Sequence, residues 1–77
     1  MHPRIAIDPK VMRGKPVIRG TRIPVEVIIR KLAEGATVPE ILADYPRLSA
    51  EDVRAALSFA ADSLSTDEVL PLADGGE

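Results

Sequence analysis

The segment RGKPVIRGTRIP, residues 13–24, is the part of this 77-residue chain that no helical pattern accounts for. Two glycines, two prolines and four cations (Arg13, Lys15, Arg19, Arg22) are interleaved there with Val17, Ile18 and Ile23. Pro16 biases Lys15 away from helical backbone angles. Gly14 and Gly20 bracket Pro16 to Arg19 as an extended run. Upstream, Ile5-Ala6-Ile7 is a second short apolar run, closed by the turn-initiating pair Asp8-Pro9. Residues 1–23 therefore read as a small β ribbon or arm. Strands this short are marginal alone in water, so they are expected to pair across a partner chain or to lie on helices.

Downstream of the segment the period changes to that of helices. Pro24 suits a first helical position, because its fixed φ is already helical. Val25, Ile28, Ile29, Leu32 and Ala33 then recur on one helical face, and Gly35 supplies the stop. Thr37 with Glu40 three residues later is a capping box, with Pro39 tolerated in the first turn. Val38, Ile41, Leu42 and Tyr45 form the apolar stripe of this second helix, which ends before Pro46. Ser49 caps a third helix with Asp52 as its capping-box acid, and the ladder Val53, Ala56, Leu57, Ala60, Ala61, Leu64 predicts its buried side. Residues 24–65 are thus a three-helix bundle. Periodicity fails over residues 66–77, read as a tail in which Val69, Leu70 and Leu72 stand among acids. The fold class is mainly α: a short N-terminal β element, then a helix-turn-helix-like bundle of homeodomain-like or winged-helix-like form.

Size and composition narrow the function classes. A chain this short makes one domain whose core supplies roughly 3–5 kcal/mol. With no cysteine and one histidine, neither disulfides nor a zinc site can add to it, so a homodimer is expected. No apolar run reaches the roughly 18–20 residues of a membrane span, and a cytoplasmic location follows as the default. The net charge of −2 divides unevenly: residues 1–31 hold eight cations and two acids (+6), residues 32–77 two cations and ten acids (−8). That asymmetry fits an anionic partner facing the N-terminal half, or attraction between the halves.

Candidate functional residues follow from the same segment. Arg13, Lys15, Arg19 and Arg22 sit on glycine-containing extended backbone that can approach phosphates closely, and the arginine fork binds phosphate in a bidentate way. They are the expected DNA or dimer contacts, the alternative being pairing with the acidic helices. The third helix is a poor reader of bases, since Glu51 and Asp52 at its start repel phosphates. No catalytic site, cofactor fingerprint or metal cluster is found: His2 stands alone at a terminus expected to fray, and the glycines match no phosphate-loop or dinucleotide pattern.

The stretch GKPVIRGTRIPVEVI (residues 14–28) with LAEGATVPEILADYPRLSAEDVRAAL (residues 32–57) resembles the domain-of-unknown-function 433 family, from about Ile5 to Ala61. The resemblance implies a dimeric helix-turn-helix-like protein of the VapB antitoxin kind. Its implied partners are a PIN-like toxin ribonuclease, which it would neutralise by binding, and the operator DNA of the shared operon. Val69, Leu70 and Leu72 would then be candidates for toxin contact. A stand-alone DNA-binding regulator and a protein-interaction module without DNA binding are the alternatives.

Overall fold

The computed structural model describes residues 2–65; the tail residues Val69, Leu70 and Leu72 lie outside them. Two strands, β1 (Ile5–Ala6) and β2 (Val17–Ile18), precede three helices, α1 (Val25–Ala33), α2 (Val38–Asp44) and α3 (Ala50–Leu64). The strands pair with each other, antiparallel, with Ile5 opposite Ile18 and Ala6 opposite Val17. They also lie on the helices: Ile5 and Ile18 are buried in one cluster with Val25, Ile28, Ile41, Leu48, Val53 and Ala56. The ribbon is therefore part of the core, which is how a two-stranded sheet too small to stand alone is stabilised.

The helix boundaries follow local chemistry. Pro24 is the N-cap of α1 and not its first residue, with ψ 144°. It is held extended because the ladder continues past β2: Ile18 N–H donates to the Ile23 carbonyl (3.0 Å) and Val25 N–H to that of Pro16 (2.9 Å). At the other end, Gly35 takes φ +100°. Its N–H reaches the Leu32 carbonyl (3.0 Å) and that of Ala36 the Lys31 carbonyl (3.0 Å), a Schellman closure that needs a left-handed residue. Both capping boxes form. Thr37 N–H donates to Glu40 Oε1 at 2.8 Å, and Ser49 N–H to Asp52 Oδ2 at 3.0 Å. Backbone N–H groups of Glu40 and Asp52 return to the Thr37 and Ser49 hydroxyls.

The buried side of α3 differs from the expected ladder. Val53 and Ala56 are buried, but Leu57, Ala61 and Leu64 are exposed, Leu64 by 87%. The core-facing stripe instead runs through Asp52, Val53, Ala56 and Phe59. Each residue turns a helix by about 100°, so Leu57, next to the fully buried Ala56, is rotated off the contact face. Leu48 in the α2–α3 turn is buried, which closes the helix-turn-helix. No helix among the described residues is long and apolar enough to cross a membrane.

Candidate nucleic-acid interface

Two tight turns present the ribbon's cations. In the first, Met12, Arg13 and Gly14 all lie in the left-handed region, at φ 50°, 57° and 81°. The Gly14 and Lys15 N–H groups close back on the Val11 and Met12 carbonyls (3.0 and 3.1 Å). Two consecutive non-glycine residues there cost roughly 1–2 kcal/mol each, and the result is Arg13 exposed at the tip. In the second turn, Thr21 N–H bonds the Ile18 carbonyl (3.0 Å) while Gly20 takes φ +82°, the sign a type II turn requires at its third position. Thr21 stiffens this turn: its hydroxyl donates to the Ile18 carbonyl (2.7 Å) and accepts from Ile23 N–H (3.0 Å).

The four cations have different surroundings. Arg19 clasps the ribbon, its Nε donating to the Pro3 carbonyl (2.7 Å) and its Nη2 to that of Ile5 (3.1 Å). Lys15 pairs with Glu26 at the start of α1, at 3.3 Å with both side chains half exposed. Arg13 and Arg22 are exposed and meet no carboxylate among the described residues. Arg22 lines an open notch with Gly20, Thr21, Ile23, Val11 and Arg47. Nothing in the sequence points to Arg47, which lies 25 residues from Arg22 in an unremarkable connection. Folding brings it to the ribbon, where its Nη2 donates to the Gly20 carbonyl at 2.8 Å. The notch is thus a concave, rigid, cationic edge shared between the RGTR turn and the α2–α3 turn.

The start of α3 is less acidic toward solvent than its sequence implies. Asp52 is 8% exposed, and its Oδ1 accepts from Arg4 Nη1 at 3.1 Å while Oδ2 caps the helix. Only Glu51 faces outward, and it pairs with Arg54 at 3.6 Å. The expected repulsion of phosphate by two adjacent carboxylates is therefore reduced to one paired group. His2 is likewise not frayed: Nε2 lies 2.8 Å from Asp62 Oδ2, and the ring meets Phe59 edge-on at 5.4 Å. Among the described residues no group of three or more His, Cys, Asp or Glu side chains could hold a metal ion.

Residues 5–60, which contain both turns, the notch and most of α3, match the protein family of unknown function DUF433. The chain belongs to the DUF433 family. The DUF433 fold is seen directly in the crystal structure of a DUF433 member protein from Anabaena variabilis, 40% identical, with a TM-score of 0.76 over 82% of this chain and 62% of that one. Uncharacterized protein y4eO of Sinorhizobium fredii is 38% identical over 56 residues, 73% of this DUF433 chain but only 25% of y4eO. An uncharacterized protein of Archaeoglobus fulgidus is 63% identical over 27 residues, 35% of this chain and 75% of its own length. The chain thus spans about a quarter of y4eO and under two thirds of the Anabaena protein.

Proposed function

We propose that this DUF433 chain is a non-catalytic, antitoxin-like binding module that docks on operator DNA through its ribbon and neutralises a PIN-like ribonuclease in the cytoplasm. The observation that carries the DNA half is the notch: Arg22 and Arg47 together on rigid backbone, with Arg13 exposed on the neighbouring turn and no carboxylate neutralising Arg13 or Arg22 among the described residues. Guanidinium groups held this way suit phosphate oxygens, which position a protein on DNA, while base reading would fall to other contacts. The paired state of Glu51 and Asp52 supports the same reading, because it lets the start of α3 approach the duplex alongside the notch. The toxin half rests on the family resemblance of the GKPVIRGTRIP motif. The match to a quarter of y4eO supports a modular use of this fold.

The test is a salt titration. Binding to a duplex from the region upstream of the gene is followed by fluorescence anisotropy for the unaltered protein and for Arg13→Gly with Arg22→Ala. Glycine suits the left-handed position, so the fold is kept. The double variant is expected to lower affinity and to reduce the slope of log K against log salt by about 2, one unit for each phosphate no longer neutralised. An unchanged slope in a folded variant rejects the DNA role. Copurification with the product of an adjacent ribonuclease gene, unaffected by the same substitutions, separates antitoxin from stand-alone regulator.

A further inference from the structure

Apart from the notch, α1 and the last turns of α3 flank a groove walled by Val25, Ile29, Ala33, Phe59, Ala60 and Leu64. Its polar rim carries opposite charges on one helix edge, Glu26 and Arg30, four residues apart. Glu26 is engaged by Lys15. Arg30 has no carboxylate partner among the described residues. Leu64, 87% exposed, and the exposed Ala33 leave this face without a cover in the described residues.

We propose that the groove is the interface with a second copy of this chain, formed by α1 packing antiparallel on its counterpart about a two-fold axis near the α1 midpoint. The charge order selects this occupant. Antiparallel apposition sets Glu26 of each copy across from Arg30 of the other, so one edge satisfies itself twice, as an isologous contact requires. Ala33 and Ala60 are small enough for helices to approach to about 8 Å. The packing removes from water the apolar wall that the short core leaves bare. This inference is independent of the DNA reading, since the notch and the groove share no residue.

Sedimentation velocity of the full chain tests it. The unaltered protein sediments as a concentration-dependent dimer. Glu26→Arg and Arg30→Glu each weaken self-association by about tenfold or more, because each places like charges across the axis. An equimolar mixture of the two variants restores a dimer, since one chain then carries cations at both positions and the other carboxylates at both. Leu64→Glu, at a site too exposed to disturb the fold, also dissociates it, and circular dichroism checks helix content throughout. A monomer at every concentration overturns the proposal, as does a dimer indifferent to all three substitutions. Truncation after Ser65 that converts a monomer into a dimer overturns it too, by assigning the groove to the chain's own end.

Discussion

The capping residues of the α2–α3 unit and the arginines of the ribbon use their side chains in opposite ways. In the helical unit Thr37, Glu40, Ser49 and Asp52 each bond backbone within three residues, so these groups serve helix ends. In the ribbon the two arginines of one turn diverge. Arg19 ties carbonyls 14 and 16 residues away, whereas Arg22, three positions on, faces an open notch. A motif such as RGTR therefore holds a structural cation and a presented one side by side. Position relative to the strand edge, not residue type, separates them.

The largest way to break this contrast is at Asp52, where the two regions meet. Asp52→Ala removes the acid of the α3 capping box, leaves the Ser49 cap in place and takes the partner from the half-exposed Arg4. It is expected to cost about 2 kcal/mol, read as a lower urea midpoint at constant m. A loss under about 0.5 kcal/mol would show that the capping-box bond and the Arg4 pair are dispensable.

The contrast within the turn is sharpened next. Arg19→Ala should cost about 1–2 kcal/mol, through two charge-assisted bonds at a partly solvated site, while Arg22→Ala stays within about 0.5 kcal/mol of the unaltered protein. Arg19→Lys should recover little, because an ammonium cannot reach both carbonyls as the planar fork does. Equal costs at the two positions would erase the distinction between clasp and presented cation.

The smallest effect belongs to the capping box of α2. The Thr37 backbone N–H, and secondarily its side chain, hold the Glu40 carboxyl below its ordinary value. A depressed carboxylate contributes stability above its unfolded pKa and loses it as pH falls through the folded one. Glu40→Gln should therefore lower stability slightly at neutral pH, match the unaltered protein once Glu40 is protonated, and so flatten the acid limb below about pH 4.5. The check is thermal unfolding from about pH 6 to about pH 3; an acid limb as steep as that of the unaltered protein would remove Glu40 from the account.

The sequence by itself determined what is encoded within one turn of chain. Both capping boxes, the Gly35 stop and the Ile5 and Ile18 strands are fixed by φ restriction, hydrogen bonds at i, i+3 and apolar period. Pro24 slipped by one position, from helix to cap, because the strand ladder kept hold of it. Only the tertiary structure decided which polar groups are left for solvent. Arg4 found Asp52 across 48 residues, Arg47 found Gly20 across 27, and His2 found Asp62 across 60. Such pairings carry no local signal, since they depend on where packing places α3 against the ribbon. The outer half of the α3 ladder went the same way: periodicity names a face, and the width of that face actually covered depends on the neighbours the fold supplies.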